Sequence, residues 1–479
     1  MSSSAIAKRL RKILERDAVL DRPEDLMLYE YDGGLAKGTP DAVVFPQTTE
    51  HVVAIVRAAN EFKVPIVPRG AGTGLSGGCV PNRGGIVISF ARMNRILEVD
   101  VANRRAVVQP GLVNAELSLA LAKHKLFFAP DPSSGRASTV GGNVAENSGG
   151  PHTLAYGVTV NHVTGVEVVL PNGELVQFGG RAADSSGYDL TGFFCGSEGM
   201  IGIATAITVK LSRVAEAVAT LLGVFNSVDD AANTVTAITS EGITPAALEM
   251  LDALTLRTVE AATHAGYPMD ARAVLLIELE GLKEAVEEQA EAVAKVCARN
   301  GAREVRRAKD EAERALLWKG RKTAFGAIGR ITPSYYSQDC VVPRTKIAEV
   351  LRLIESVSQK YGQRVANVFH AGDGNLHPAI LFDLREPEQL RRTQEMSREI
   401  LTYCVGLGGT ITGEHGVGIE KQELMSLMYT ENDIEMMQRL RDAFNPEGIM
   451  NPGKVFPIRR GCGEARVSSV KPVAVEVAG

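Results

Sequence analysis

Apolar residues recur in this chain at two distinct intervals, and the interval predicts the element. Alternating runs at 42–45 and 65–67 flank a three-and-four pattern over 49–62, which predicts strand, helix and strand. Further strands are expected at 85–90 and over 96–108, and a helix at 114–124. Residues 163–170 and 174–179, joined by Pro171, Asn172 and Gly173, carry a hairpin signature, and 205–211 reads as a closing strand. Beyond about residue 213 the texture changes. Helical patterns at 228–240, 245–262, 282–299, 308–328, 345–360 and 387–405 alternate with strands such as 273–279 and 365–368. That alternation predicts helices on one face of a mostly antiparallel sheet. A last helix is expected at 430–444, and residues 459–479 lack periodicity, as a poorly ordered tail does. At the other end, Ile6, Leu10, Ile13 and Leu14 share a helical face, which predicts a helix docked on the fold. Glu15 and Asp17 count against a mitochondrial presequence.

Glycine interrupts this pattern in three places, 70–78, 135–150 and 192–202. The first follows a strand and reads Pro68, Arg69, Gly70, Ala71, Gly72, Thr73, Gly74, Leu75, Ser76, Gly77, Gly78. Gly72, Gly74 and Gly77 satisfy G-x-G-x-x-G, but a Rossmann site needs a helix to begin on that loop. Cys79, Val80 and Pro81 are a poor helix start, so that reading fails. A backbone nest remains, with N–H groups free to converge on a pyrophosphate. The second stretch contains Asp131, Pro132, Ser133, Ser134, Thr139, Gly141, Gly142, Asn143, Asn147 and Gly149. It is too long for a mere connection. Its hydroxyls, amides and glycines suit the polar edge of a flavin ring at close approach. The third, with Glu198, Gly202 and Ile203, is compact enough to carry an adenine or ribose on its backbone.

Composition narrows the class without naming a function. A chain of 479 residues is expected to form two or three domains. Apolar residues at 45%, charged residues at 23% and a net charge of −5 are ordinary for a soluble protein. They give no general attraction to nucleic acid or anionic lipid. The six cysteines (Cys79, Cys195, Cys297, Cys340, Cys404 and Cys462) form no C-x-x-C pair and read as reduced thiols. No apolar run approaches the ~20 residues of a membrane span. A cytoplasmic location is expected, with any association with the inner face of the membrane made through partners.

The candidate chemistry lies in two glycine-bounded clusters. His370 and His377 enclose Ala371, Gly372, Asp373, Gly374 and Asn375, a turn-forming run that can aim two imidazoles at one point. Gly413, Glu414, His415 and Gly416 form the other. His370, His377 and Glu414 read as a divalent-metal set; Zn²⁺ suits them, and Mn²⁺ or Fe²⁺ shares the ligand types. His415 reads as the acid/base. His51, His124, His162 and His264 have no such company and read as surface or packing residues. His152 differs only in sitting in a flavin loop.

Residues 68–78, 131–150 with Tyr156 and Gly157, and 196–203 together resemble an FAD domain of the vanillyl-alcohol-oxidase type. With the two histidine clusters and the run Asn451, Pro452, Gly453, Lys454, the chain resembles the FAD-linked 2-hydroxy-acid oxidases and dehydrogenases. Glycolate oxidase and D-lactate dehydrogenase belong to that family. The resemblance implies an α+β protein: a helical segment at 1–40, a two-subdomain FAD domain at 41–213, then an α+β substrate domain at 214–456. That domain holds an antiparallel sheet and returns to the flavin through C-terminal helices, and a tail follows at 457–479. The activity implied is hydride transfer from a short 2-hydroxy acid, glycolate or D-lactate, to flavin. Metal ligation by His370, His377 and Glu414, proton acceptance by His415, substrate-carboxylate binding by Arg321 and cofactor contact by Asn451 are implied too. Residues 68–78 hold no histidine, so FAD is expected to be non-covalent. Phe325, Tyr336 or Ser337, and Ala379 stand where dicarboxylate enzymes carry polar residues, which argues for a short substrate. A D-2-hydroxyglutarate dehydrogenase and an electron-relay subunit are the competing readings. No iron–sulfur motif is present. Electrons therefore leave to an acceptor, flavoprotein and iron–sulfur partner subunits among the options, and a homodimer is compatible with the chain.

Overall fold

A computed structural model describes residues 3–182 and 187–457; the expected tail at 459–479 lies outside them. The first sheet has four strands, in the order Val19–Leu20, Ala42–Val44, Ile86–Ser89, Ile66–Arg69, the last three parallel. The helix Thr49–Phe62 begins where the Thr48 hydroxyl accepts from the His51 N–H and ends at Lys63, whose φ is 51°. It buries Val52, Ile55, Val56 and Ala59 against the sheet, and Ile6 and Leu10 of the helix Ser3–Leu10 join that core.

A second, antiparallel sheet of five strands has the order Ile96–Asp100, Arg105–Val108, Ile203–Lys210, Val163–Val169, Leu175–Gly179. The run at 96–108 is therefore a hairpin, turning at Arg104 with φ 51°. The hairpin expected at 163–179 is present, with Val169 opposite Leu175. Inside the second glycine stretch lies a short helix, Val140–Glu146. The Thr139 hydroxyl caps it by accepting from the Gly142 N–H, and Asn147 ends it at φ 56°. Adjacent Gly141 and Gly142 carry little helix propensity, which hides it from the pattern. Val140 and Val144 anchor it in the core of the second sheet.

The third sheet has nine strands, all paired antiparallel. Its main path runs Ala302–Arg307, Ala217–Phe225, Ala273–Gly281, Ala247–Asp252, Val365–His370, Asn375–Leu376, Cys340–Val341, and Pro378–Phe382 joins Val365–His370 to Ser334–Ser337. Helices cover both faces, not one. Leu221 and Phe225 pack with Val235, Val293, Val350 and Ile400, whereas Leu222 and Val224 pack with Leu256, Val259, Leu317 and Trp318. A strand buried on both sides shows no apolar–polar alternation. For that reason Ala217–Phe225 is not announced by its sequence, and the helical pattern at 245–262 splits. Its first part is the strand Ala247–Asp252; Asp252 then caps the helix Ala253–Thr263 by accepting from the Thr255 N–H at 2.8 Å. The run at 308–328 divides at Thr323 into Glu311–Lys322 and Ala324–Ile328. After the helix Glu431–Phe444 the chain returns to the first sheet, where the Asn451 N–H meets the Ile66 carbonyl at 2.7 Å.

Candidate active site

Register brings the two histidines of the first cluster together. The strand Val365–His370 ends at His370, residues 371–374 turn, and Asn375 pairs back against His370. The turn needs glycine at 374, where φ is 82° and a side chain would collide with the Val342 carbonyl. His370 and His377 then lie with ring centroids 5.1 Å apart and planes at 88°. Each has its Nδ1 engaged from behind. His370 Nδ1 meets Glu249 Oε1 at 2.8 Å, and His377 Nδ1 donates to the Gln338 carbonyl at 3.1 Å. Their Nε2 atoms therefore face Glu414 Oε1, at 3.4 and 3.1 Å. Glu414 Oε2 is buried and has no hydrogen-bond partner.

The loop bearing Glu414 and His415 is held by a carboxylate on each side. Asp339 Oδ2 accepts from the N–H groups of Gly413 at 2.9 Å, Glu414 at 3.2 Å and His415 at 2.9 Å, and from the Thr412 hydroxyl. On the other side, Glu198 accepts from Val417 N–H at 2.7 Å and Gly418 N–H at 2.8 Å. Gly149 comes so near that a side chain there would meet Glu414 Oε2 at 2.8 Å. The loop is thus clamped between the third sheet and the glycine-rich segments.

Electrostatics separate the roles. Burial would raise the Glu414 carboxyl, but hydrogen bonds from His370 and His377 outweigh it and hold it ionised. Burial would lower His370, yet Glu249 and then Glu414 raise it well above the ordinary value. His415 stacks on His377 at 5.1 Å, and burial pushes it down to about 4, so it is neutral at pH 7. Two imidazole Nε2 atoms aimed at an ionised carboxylate with an unmatched oxygen fit a divalent cation. Glu249, behind His370, is the carboxylate that orients such a ligand.

The glycine segments converge on a cleft beside this cluster. Pro68 through Gly74, Pro132, Ser133, Ser134, Thr139, Gly141, Gly142, Asn143, Glu198, Gly202, Ile203 and Asn451 line it, as do His377, Glu414 and His415. Seven expected contacts stand behind that lining. The Ser76 carbonyl accepts from Ile419 and Glu420, and the Gly77 N–H donates to Asp32 at 2.8 Å. Asp131 holds His152 at 2.8 Å, and Asn147 accepts from the Val160 N–H. Gly149 faces Glu414, Tyr156 donates to Glu280 at 2.7 Å, and Gly157 ends a helical turn at φ 79°.

Arg321, expected to bind the substrate carboxylate, stands beside His370, with Nη2 3.5 Å from its Nδ1. It is 1% exposed, outside the cleft lining, with Nε at 2.6 Å and Nη2 at 2.5 Å from Glu249 Oε2. Its charge is matched there, behind His370. Glu249 and Asp339 escape the sequence reading; the signal for Glu249 is an acid in the middle of the otherwise apolar run 246–251.

Comparison with known proteins agrees with this layout. Residues 40–179 match the model of an FAD binding domain, and 214–455 match that of the FAD linked oxidases, C-terminal domain. The chain belongs to the FAD-linked oxidases. This FAD-linked oxidase is 46% identical over 462 residues to glycolate oxidase subunit GlcD of Escherichia coli K12, covering 96% of the chain and 93% of the relative. It is 43% identical to the Bacillus subtilis protein of the same name, covering 90% and 92%. It is 31% identical to the mitochondrial D-lactate dehydrogenase [cytochrome] of Arabidopsis thaliana, covering 94% and 80%. In fold it matches p-cresol methylhydroxylase with a TM-score of 0.80 at 19% identity, covering 94% of this oxidase and 96% of that chain. The fold is α+β and of the vanillyl-alcohol-oxidase type, and the protein is an FAD-linked oxidoreductase. Among the described residues no helix is long and apolar enough to cross a membrane.

Proposed function

We propose that this oxidase converts a short 2-hydroxy acid, glycolate or D-lactate, to the 2-oxo acid, with a divalent cation held by His370, His377 and Glu414. One observation carries the reading: both Nε2 atoms converge on a buried carboxylate whose second oxygen has no partner. Bound FAD supplies a hydride acceptor, and the cation a Lewis acid that makes a hydroxyl more acidic. His415, neutral and lining the cleft, takes the hydroxyl proton at its ring nitrogen. Asp339 and Glu198 keep that imidazole in place through the backbone of its loop. Phe325 and Ser337 line the cleft, with Phe325 edge-on to His377 at 6.4 Å, so an apolar ring and a hydroxyl, and no cation, stand beside that histidine, which supports a substrate with one carboxylate. Tyr336 donates instead to Glu420, and Ala379 is buried opposite Ser337 in the sheet, so neither stands there.

FAD is proposed to be non-covalent, because the histidines lining the cleft are His377 and His415, both in the reaction cluster. Similarity to proteins named as oxidase subunits supports partner subunits, and the electrons are proposed to pass to them, flavoprotein or iron–sulfur in kind, in the cytoplasm or against the membrane's inner face. The test is anaerobic titration of the yellow protein with glycolate, D-lactate, L-lactate and D-2-hydroxyglutarate, before and after chelation. Bleaching of the visible flavin band by glycolate or D-lactate, lost on metal removal, is expected. No bleaching with any of them, or bleaching indifferent to chelation, contradicts the substrate or the metal respectively.

A further inference from the structure

Four acidic side chains line the cleft: Asp32, Glu146, Glu198 and Glu414. Three of them have donors. Glu414 faces His370 and His377. Glu198 accepts from the Val417 N–H at Oε1 and the Gly418 N–H at Oε2, at 2.7 and 2.8 Å. Asp32 accepts from the Gly34 N–H at Oδ1 and the Gly77 N–H at Oδ2, also at 2.7 and 2.8 Å. Glu146 differs: its Oε2 is buried and meets no donor, and no ion pair reaches the group among the described residues.

We infer that Glu146 stands in this cleft as a neutral carboxylic acid and donates its O–H to the ring of bound FAD. Its place is set by the helix Val140–Glu146, which is capped at Thr139 and ended at Asn147. A side chain at Gly78, in the first glycine loop, would collide with Glu146 Oε1. One at Gly416, beside His415, would collide with Glu146 Oε2 and meet Glu198 Oε1 at 2.9 Å. Two acids therefore face each other across Gly416. Two like charges there repel, and the proton that relieves them belongs on the acid that has no N–H donors. Burial, and then Glu198 and Asp32, raise the Glu146 carboxyl well above the usual range, against Lys421 and Lys454. Burial raises Asp32 and Glu198 as well, but their N–H bonds pull both down again.

Neither nearby ammonium serves Glu146. Lys421 Nζ lies 3.4 Å from Asp339 Oδ2, and Lys454 Nζ donates to the Val80 carbonyl at 2.6 Å and Asn82 Oδ1 at 2.8 Å. The Cys79 thiol, pushed up to about 12 by burial, is neutral. A carboxyl kept neutral at pH 7 becomes a donor, and it spares an anionic cofactor one more like charge in the cleft. Because Gly416 adjoins His415, the acceptor it meets is on the ring, a step that rests on the reaction proposed above. The competing role is an ionised carboxylate that takes the Ser76 hydroxyl, which is buried near Gly78 without a partner.

The experiment compares the FAD-loaded wild type with Glu146→Gln and Glu146→Leu. FAD release on dilution, read by the fluorescence of freed flavin, gives the affinity at pH 6, 8 and 9.5, and the visible band of the bound form reports the ring's surroundings. The wild type is expected to bind FAD at least about tenfold more weakly at pH 9.5 than at pH 6, as the O–H is lost and a further charge appears. Glu146→Gln keeps a donor in place and should bind within about threefold of the wild type at pH 6, without that alkaline loss. Lys454, lowered to about 8 by burial, titrates in the same window, but the Gln variant carries it too. Glu146→Leu should bind about 10- to 100-fold more weakly at pH 6, with a shifted visible band, because a ring acceptor is left unmatched. An alkaline loss absent from the wild type, or equally large in Glu146→Gln, overturns the inference, and both read out even if the Leu variant does not fold. So does weakened binding with an unshifted band, which moves the contact off the ring. Normal affinity and band in Glu146→Leu with slowed flavin reduction would make Glu146 a support of the His415 loop through Glu198, and overturns it too. Affinity and band need no substrate, so a wild type bleached by no 2-hydroxy acid sinks the reaction proposed above while these readouts still decide the donor.

Discussion

Two of the histidine–carboxylate clusters among the described residues are built of histidine and glutamate alone, and they differ in what they leave unmatched. His370, His377 and Glu414 form one; His152, Glu278 and Glu280 form the other, and in each the potential ligand atoms lie within 4.8 Å of one another. In the first, both Nδ1 atoms are occupied from behind, both Nε2 atoms face forward, and Glu414 Oε2 has no partner. In the second, Glu278 accepts from the Thr220 hydroxyl at 2.8 Å, Arg314 Nε at 2.9 Å, Arg314 Nη2 at 3.0 Å and Trp318 Nε1. His152 is held at its other nitrogen by Asp131. A guanidinium already neutralises the Glu278 carboxylate. The first cluster leaves a carboxylate oxygen open to the cation proposed above; the second is a closed polar junction between the glycine segments and the third sheet. Proximity of ligand-type atoms does not decide between them, but the count of unmatched lone pairs does.

The largest effect should come from opening the first cluster. Glu414→Gln replaces an ionised ligand by an amide and is expected to strip the metal and lower flavin reduction by more than about 10³-fold. His415→Asn should keep metal and FAD and slow reduction by about 10²–10⁴-fold, the range for a positioned base. Metal analysis beside rapid-mixing reduction separates the two. Metal lost from the Asn variant and kept in the Gln variant would reverse the assignment of these neighbours.

Opening the second cluster should cost stability and leave chemistry in place. Glu278 is 0% exposed, and its removal takes away the carboxylate that Arg314 and protonated His152 share, leaving Arg314 only the exposed Glu311 and His152 only Asp131. Glu278→Ala is expected to destabilise the fold by about 3–5 kcal/mol, the usual cost of breaking a buried pair from one side. Metal content should not change. Urea unfolding with metal analysis is the check, and loss of metal from this variant would erase the distinction between the clusters.

The first cluster was legible in the sequence because its residues are close along the chain and bounded by glycine. The second was not. His152 and Glu278 are 126 residues apart, and only the strand Ala273–Gly281 crossing beneath the glycine segments unites them. The same holds for Glu249, which reaches His370 across 121 residues by strand register. Arg321, read from the motif around Trp318, meets Glu249 across 72 residues, a pairing that strand and helix packing make and chain order does not announce. In the fold, helices with one buried face and the hairpin at 163–179 were readable. Ala217–Phe225 and Ala247–Asp252 were not, since burial on both faces erases alternation, and glycines concealed Val140–Glu146.

The smallest effect expected is a pH dependence that belongs to the second cluster. Burial would lower His152, but Asp131 and then Glu278 outweigh it and raise it from 6.5 to about 10. Burial would raise Glu278, but hydrogen bonds from His152 and Arg314 lower it from 4.5 to about 2. A raised histidine stabilises the fold fully below its unfolded value and loses that contribution as pH rises through the folded one, here between 6.5 and about 10. A lowered carboxyl stabilises above its unfolded value and loses that contribution as pH falls from 4.5 to about 2. Their joint contribution is therefore greatest between 4.5 and 6.5. It should decline by about 1–3 kcal/mol toward pH 9.5, the scale set by one perturbed group in a partly hydrated junction. His152→Gln should flatten the alkaline decline, because the amide carries no proton to lose, and shrink the acid one to what Arg314 alone sustains at Glu278. Urea unfolding at pH 5.5, 8 and 9.5 reads this directly. An alkaline decline that survives in His152→Gln would mean that the junction is held by its neutral hydrogen bonds and not by the imidazolium.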